Sequence, residues 1–213
     1  MNSLSPDEIT EYVAFAHSLA DTAGREILPL FRDSGEIENK DGKGFDPVTA
    51  ADRAAESVMR SAIEARYPLH GVLGEEFERK PAKGSFEWVL DPIDGTKAFI
   101  CGIPLWGTLI GLSENGRPVI GMMDQPYLGE RFWSTPHGAR FRNRNGEQAI
   151  RTRRCNSLSE AIMGATSPDM FKEDDVRRFQ KLSTSCRLTR YGGDCYLYSC
   201  SQWGWWILLR KPA

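Results

Sequence analysis

Histidine is scarce in this sequence, and cysteine is not arranged in pairs. The three histidines of the 213-residue chain, His17, His70 and His137, are scattered, and the five cysteines form no Cys-x-x-Cys pair. Zinc sites and catalytic triads need such side chains at characteristic spacings. We therefore expect neither a zinc site nor a Ser-His-Asp triad. The odd number of cysteines is typical of a cytoplasmic protein with reduced thiols.

The sequence also lacks long apolar runs and an excess of charge of one sign. Its longest apolar stretches, such as Leu105–Leu112, are far too short to cross a bilayer. Lys and Arg number 27 against 29 for Asp and Glu, whereas a dedicated nucleic-acid binder is normally basic. The acidic segment Met1–Glu11 does not resemble a signal peptide. We therefore expect a protein that binds neither membrane nor nucleic acid.

A local cluster of arginines leaves two interpretations open. Six arginines lie within fifteen positions, and they could form a nucleic-acid patch or the solvated face of a β-meander. The balanced total charge favours the solvated face. The six are Arg140, Arg142, Arg144, Arg151, Arg153 and Arg154.

Helical periodicity dominates the first third of the chain. Ser5-Pro6-Asp7-Glu8 is a capping box with proline at the first helical position. Apolar residues recur at helical spacing behind it, which predicts one long helix ending near Gly35. Thr49-x-x-Asp52 predicts the start of a second helix, which Pro68 stops.

The pattern then changes to short strands, which predicts a layered α+β fold. Asn115-Gly116 is a strong hairpin signal between two of these strands. Ser167-Pro168-Asp169 is expected to open a helical segment running toward Leu182, and Gly192-Gly193-Asp194 another helix. We expect an N-terminal domain at 1–150 and a partial C-terminal domain at 151–213. The predicted strands are Gly71–Gly74, Glu87–Leu90, Leu105–Ser113, Pro118–Met123, Arg131–Ser134, Ala139–Arg142 and Ala161–Thr166.

The most informative motif is Asp-Pro-Ile-Asp-Gly-Thr, which directly follows a predicted buried strand. Asp91 and Asp94 stand three positions apart, and Pro92 stiffens the connection between them. Gly95 permits close approach of a ligand, and Thr96 is placed to cap the next helix. Carboxylates at a strand end can take a metal while the N–H groups of the helix take phosphate oxygens. The motif therefore suits a metal–phosphate site.

Further acids precede this motif. Gly74-Glu75-Glu76 ends another predicted strand, and Asp46 and Asp52 lie further upstream. Many carboxylates without His or Cys indicate hard oxygen ligands, which favours Mg²⁺ over zinc. The alternative is an ordinary acidic turn with helix caps, and the Gly-Glu-Glu strand end argues against it.

Together these motifs resemble the inositol monophosphatase family of Mg²⁺-dependent, lithium-sensitive phosphatases. The resemblance rests on Gly74-Glu75-Glu76, Trp88–Thr96 and Asp46-Pro47-Val48-Thr49-x-x-Asp52, and it extends to about Tyr198. It implies a layered αβαβα sugar-phosphatase fold. Val-Leu before Gly-Glu-Glu, and Gly-Gly-Asp-Cys-Tyr beginning at Gly192, look most like the bacterial histidinol-phosphate phosphatase branch.

The resemblance implies a metal site and names its ligands. Glu75, Asp91 and Asp94 would hold two or three Mg²⁺ ions, for which Mn²⁺ could substitute. The backbone carbonyl of Ile93 would be a further ligand.

The resemblance also implies the catalytic and substrate-binding residues. Asp52 and Thr96 would orient and activate the attacking water, with Glu75 as the third catalytic residue. Gly95 and Thr96 would contact the phosphate. Asp194 would lie on the non-phosphate side of the substrate, facing an imidazole or an amine.

The implied activity is hydrolysis of a small phosphate monoester, with histidinol phosphate as the favoured substrate. Mg²⁺ ions would neutralise the phosphate dianion, lower the pKa of bound water and stabilise the leaving alkoxide. No protein nucleophile is needed, which agrees with the missing triad. Inositol monophosphatase activity and an inactive metal-binding remnant stay open as alternatives. Family members are commonly homodimers, so a homodimer is a candidate assembly.

The chain departs from the family pattern after Asp194. The family carries a further metal-binding aspartate in a Trp-Asp context, but this sequence has no Trp-Asp and no acid after Asp194. The codons of Trp205-Trp206-Ile207, read two nucleotides later, encode Val-Asp. We hypothesise that a frameshift near Leu197–Gln202 replaced and truncated the C-terminus, so that one metal site lacks a ligand. A genuinely diverged tail is the alternative.

Overall fold

Five α-helices and twelve β-strands are present in the residues that the computed structural model describes, which are 4–33, 37–39, 47–202 and 208–209. The helices are α1 Pro6–Ile27, α2 Ala50–Arg66, α3 Thr96–Ile100, α4 Glu173–Ser185 and α5 Asp194–Gln202. The strands are β1 Ile37–Asn39, β2 Pro47–Thr49, β3 Gly71–Gly74, β4 Phe86–Asp94, β5 Gly107–Glu114, β6 Arg117–Gln125, β7 Glu130–Thr135, β8 Gly138–Asn143, β9 Gly146–Ile150, β10 Ile162–Ala165, β11 Leu188–Tyr191 and β12 Leu208–Leu209.

A seven-stranded sheet forms the centre of the fold. Its strands lie in the order β3-β4-β5-β6-β7-β8-β9. β3 runs parallel to β4, and every other neighbouring pair in this sheet is antiparallel. The predicted hairpin at Asn115-Gly116 is confirmed as the turn between β5 and β6. The parallel β3–β4 pair was not expected from a sequence pattern that predicted an antiparallel sheet.

Side chains that alternate along the strands give this sheet two apolar faces. Leu109, Met123, Phe132 and Phe141 stand opposite one another on β5 to β8 and pack in one cluster with Cys195 of α5. The next row of side chains faces the other way and belongs to the larger cluster formed with α1 and α2: Ile110, Met122 and Trp133. The sheet is therefore covered by α1 and α2 on one face and by α5 on part of the other.

The first helix begins as the sequence predicts but ends earlier. The Ser5 hydroxyl accepts a hydrogen bond from the Glu8 N–H, and the Glu8 carboxylate accepts one from the Ser5 N–H, so the capping box is formed. α1 ends at Ile27 and continues as one 3₁₀ turn, Leu28–Leu30. The predicted end near Gly35 is wrong because Pro29 has no N–H and its ring clashes with the preceding helical turn.

Further differences follow from weak sequence signals. The predicted helix from Ser167 to Leu182 is a 3₁₀ turn at Pro168–Met170, followed by α4, because Phe171 between them is extended with ψ 136°. The strands β1, β2, β9, β11 and β12 were not predicted. Most residues of β9 and β11 are exposed, so neither strand shows the alternation of apolar and polar residues that identifies a half-buried strand.

A smaller parallel sheet follows the central one. Its order is β11-β10-β12, and Phe179 of α4 packs in one apolar cluster with Met163 and Ala165 of β10. Phe171, just before α4, stacks on Phe179 with ring centroids 4.2 Å apart. The expected boundary at 150 coincides with the last residue of β9. The division into two domains there stays a prediction.

The arginine cluster lies at the surface of the protein. All six clustered arginines are exposed, and Arg140 pairs with Glu147 on the neighbouring strand. In the described ranges, no helix is both long enough and apolar enough to span a membrane.

A buried arginine links α1 to the central sheet by hydrogen bonds. Arg131 on β7 donates from Nε to Asp124 Oδ1 at 2.6 Å and from Nη2 to Asp21 Oδ1 of α1 at 2.7 Å. Its Nη1 lies 3.1 Å from His17 Nδ1. Burial, together with the positive charges of Arg131 and Arg142, lowers the pKa of His17 to about 4. The imidazole is therefore neutral in the folded protein at pH 6.

This shift predicts an acid sensitivity that depends on one side chain. Between its ordinary pKa of 6.5 and about pH 4, His17 binds a proton in the unfolded chain but not in the folded one. The free energy of unfolding therefore decreases as the pH is lowered through this range. We expect His17 to contribute a loss of up to about 3 kcal/mol between pH 6.5 and 4. Urea unfolding across this range should show a steeper decline for the wild type than for His17→Asn. Parallel curves would contradict the assignment.

Candidate active site

The candidate site is built on an irregularity at the end of β4. Asp91 pairs with Leu109 and Asp94 pairs with Gly107, and the register with β5 shifts between the two aspartates. Residues three positions apart on a regular strand point to opposite faces, and a bulge changes that alternation. As a result Asp91 and Asp94 both line the same cleft.

Two other elements bring carboxylates toward Asp91. Glu75 follows β3, and Asp52 lies in the first turn of α2 with 4% of its surface exposed. Burial, followed by the negative charges of Glu75, Asp94 and Asp52, raises the pKa of the Asp91 carboxyl to about 8. The structure therefore brings Asp52, Glu75 and Asp94 close to Asp91, as the sequence motifs predict.

The residues after Asp91 differ in one detail from expectation. Thr96 does not cap α3: the N-cap is Gly95, and Thr96 is the first helical residue. The Thr96 hydroxyl instead donates to the Ile93 carbonyl at 3.1 Å. Gly95 has φ 93°, which places it in the left-handed region, and a Cβ there would lie 3.1 Å from Asp194 Oδ2 and from the Leu105 carbonyl. Ile93, Gly95 and Thr96 thus lie beside the acids, and Asp194 reaches the same place from α5.

The start of α5 closes the site from the opposite side of the sheet. The Cys195 N–H donates to Asp94 Oδ2 at 2.7 Å, so the first turn of α5 holds this carboxylate. Asp194 itself has φ 35°, and two glycines with positive φ precede it. Burial and the nearby Asp94 raise the pKa of the Cys195 thiol well above its usual value, so Cys195 is not a nucleophile here. The contact between Cys195 and Asp94 has no signal in the sequence, because it joins segments 101 residues apart.

An open cleft of about 490 Å³ lies over these residues. Its acidic end is formed by Glu75, Asp91, Asp94 and Asp194. Its other walls come from α5 and from the sheet, and they combine hydroxyl, sulfur and aromatic groups: Met123, Phe132, Trp133, Ser134, Thr166, Tyr198 and Ser199. This volume suits a small molecule with a charged end.

The donors fit a divalent cation by their chemistry. They are carboxylates and a carbonyl, which hard cations prefer. The raised pKa of Asp91 comes first from burial and then from repulsion by the neighbouring acids, and a bound cation would relieve that repulsion. Among the described residues, no group of three or more His, Cys, Asp or Glu side chains is arranged to hold a metal ion as it stands. Asp94 is turned toward Cys195, and Glu75 is exposed.

Several residues singled out in the sequence lie outside the described ranges. Asp46 of the first motif is one, and the tail from Trp203 to Ile207, which carries the tryptophans, is another.

Comparison with known proteins decides the family. The model of the inositol monophosphatase family matches residues 8–201. The chain belongs to the inositol monophosphatase family. The chain is similar in fold to a solved inositol monophosphatase from Zymomonas mobilis, with a TM-score of 0.82 and 40% sequence identity. The match covers 95% of this chain and 76% of the Zymomonas mobilis chain. The predicted layered α+β sugar-phosphatase fold is thereby confirmed.

Two curated relatives of this family member carry phosphatase names. The chain is 41% identical over 200 residues to the bifunctional phosphatase IMPL2 of Arabidopsis thaliana, covering 93% of this chain and 56% of that protein. It is 33% identical over 189 residues to a histidinol-phosphatase of Chlorobaculum parvum, covering 88% of this chain and 71% of that protein. The chain thus spans a little over half of the first relative and about seven tenths of the second.

The geometry at Gly95 predicts a selective sensitivity to substitution. Gly95→Ala places a Cβ at positive φ and within 3.1 Å of Asp194 Oδ2, so we expect the free energy of unfolding to fall by about 1–3 kcal/mol. Gly84→Ala is the matched control, because nothing lies within 4 Å of a Cβ there; its change should stay within about 0.5 kcal/mol. Urea unfolding measures both. Equal effects of the two substitutions would rule out this account of Gly95.

Proposed function

We propose that this chain carries out Mg²⁺-dependent hydrolysis of a small phosphate monoester, with histidinol phosphate as the preferred substrate. The observation that carries the proposal is the set of acids around Asp91, where burial and then the charges of the neighbouring acids raise the pKa of Asp91 to about 8. Acids are held together in this way where a cation is to be bound. Membership of the inositol monophosphatase family also supports hydrolysis of a phosphate monoester.

The proposed metal ligands are Glu75, Asp91 and Asp94, with the Ile93 carbonyl. Mg²⁺, or Mn²⁺ in its place, supplies positive charge that neutralises the phosphate and makes water a better nucleophile. The Ile93 carbonyl already accepts a hydrogen bond from Thr96, which holds it at the edge of the site. The Asp94 carboxylate has one oxygen bonded to the Cys195 N–H, so its other oxygen is the one to bind a cation.

The proposed catalytic pair is Asp52 and Thr96. Asp52 is buried beside the other acids, where its carboxylate would accept a proton from water that Thr96 orients. The Thr96 hydroxyl donates its hydrogen to Ile93, and its oxygen is then free to accept a hydrogen bond from the water. Gly95 brings the backbone next to the acids without a side chain, where the phosphate would lie.

Asp194 supports a substrate with a basic group close to the phosphate ester. Its carboxylate lies beside Gly95, at the acidic end of the cleft. Histidinol phosphate has an amine and an imidazole that an aspartate can pair with. Relatives from Chlorobaculum parvum and Streptomyces coelicolor are named histidinol-phosphatase. An inositol phosphate is the second candidate, because the similar solved structure from Zymomonas mobilis is an inositol monophosphatase and Asp194 could equally accept hydrogen bonds from hydroxyls.

Phosphate release on the two substrates tests the proposal directly. We expect release from histidinol phosphate that needs added Mg²⁺, stops with a chelator, and has a higher kcat/KM than release from inositol 1-phosphate. The reverse preference would favour the second candidate. No release from either substrate, with Mn²⁺ still bound, would identify an inactive metal-binding remnant.

Removing single charges tests the metal assignment. Glu75→Gln and Asp94→Asn each keep the size of the side chain and the hydrogen-bonding oxygen, so we expect a normal circular dichroism spectrum with kcat/KM lowered by roughly 10²-fold. Glu78→Gln is the control, since Glu78 is an exposed acid on the same loop as Glu75. Near-normal turnover of either site variant at moderate Mg²⁺ would remove the metal assignment.

A further inference from the structure

A buried ion pair on α2 lies next to the candidate site but contributes no proposed ligand. Arg60 Nε donates to Glu56 Oε1 at 2.7 Å, and the side chains are 12% and 0% exposed. Removing a carboxylate completely from water is unfavourable unless its oxygens are satisfied. A helix can carry a Glu–Arg pair on its surface with little penalty, so the burial of this one calls for a further role.

Both members of the pair bind the backbone segment that follows β3. Glu56 Oε2 accepts a hydrogen bond from the Glu76 N–H at 2.8 Å. Arg60 Nη2 donates to the Phe77 carbonyl at 3.1 Å, and its guanidinium lies 5.7 Å from the centre of the Phe77 ring. The segment is therefore attached to α2 at the two residues directly after Glu75.

Gly74, the residue directly before Glu75, lies against the same Glu56 carboxylate. A Cβ at Gly74 would lie 2.1 Å from Glu56 Oε1 and 2.3 Å from the carboxyl carbon. Any side chain at this position would displace either Glu56 or the end of β3. Glu75 is thus flanked by Gly74, where the absence of a side chain leaves space for the Glu56 carboxylate, and by Glu76, whose N–H binds that carboxylate.

The same helix also supplies an acid of the site directly. Asp52 lies four residues before Glu56, which places both on one face of α2. Both are buried. One rigid helix therefore positions Asp52 by its own backbone and the segment carrying Glu75 by the Glu56–Arg60 pair.

We propose that Glu56 is a positioning residue for metal binding: its carboxylate, paired with Arg60 and bonded to the Glu76 N–H, orients Glu75 toward the divalent cation. The inference rests on the proposed function, because it takes Glu75 as a metal ligand. Glu56 touches neither metal nor substrate in this role. It acts only through the backbone of residues 74–77.

The test measures Mn²⁺ binding without substrate, by electron paramagnetic resonance of the free ion. Glu56→Gln removes the charge that pairs with Arg60 while keeping the size of the side chain. We expect its dissociation constant for Mn²⁺ to rise by about tenfold or more, as is typical when a group that orients a ligand is lost. Glu64→Gln is the matched control, because Glu64 lies on the same helix and is half exposed; its affinity should equal that of the wild type.

A double variant separates positioning from general loss of structure. If Glu56 acts through Glu75, Glu56→Gln should have little further effect on Mn²⁺ affinity in a Glu75→Gln background. An equal fold-change in both backgrounds, or wild-type affinity in folded Glu56→Gln, overturns the proposal. If Glu56→Gln does not fold, Glu56→Asp is judged by the same criteria, since it keeps the charge but shortens the side chain. A wild-type chain that binds no Mn²⁺ overturns the proposed function itself, and this inference with it.

Discussion

Like charges gathered at the end of β4 are the constraint on which the site depends. Asp91 is half-buried and has Glu75, Asp94 and Asp52 near enough to raise its pKa. Such an arrangement is unfavourable in isolation, so each acid must be held by structure around it. Asp94 is held by the Cys195 N–H, and the Glu75 segment by Glu56. A divalent cation is the simplest group that would turn this repulsion into attraction, which is why the metal proposal follows from electrostatics as well as from family.

The architecture brings these acids together from separate elements. β4 provides two of them through a register shift, α2 provides Asp52, and the loop after β3 provides Glu75. The start of α5 then reaches the site from the other face of the sheet, where Cys195 packs with Met123 and Phe132. The packing of α5 on this face is thus linked to the orientation of Asp94. Glu75, Asp91, Asp94 and Asp194 share one cleft because β4, the loop after β3 and the start of α5 meet at one end of the sheet.

Much of this could be predicted from local patterns, and the rest could not. The capping box at Ser5, the hairpin at Asn115 and the acids of the Asp-Pro-Ile-Asp-Gly motif each depend on neighbours in sequence, so they are recognisable without a structure. Glu56 carried a signal that was overlooked: an acid on the apolar face of a predicted helix, next to Ala55, indicates a buried and paired charge. The strands β9 and β11 carried little signal, because most of their residues are exposed.

The sequence by itself determined which residues are chemically able to form the site and which family pattern they follow, since both depend on residue type and short spacing. Only the tertiary structure decided their arrangement. In the folded chain, Asp94 accepts a hydrogen bond from a backbone N–H of α5, and Thr96 donates to the Ile93 carbonyl instead of capping a helix. Glu56 lies against Gly74. These outcomes are set by contacts between distant segments, whose geometry depends on how the whole sheet and its helices pack.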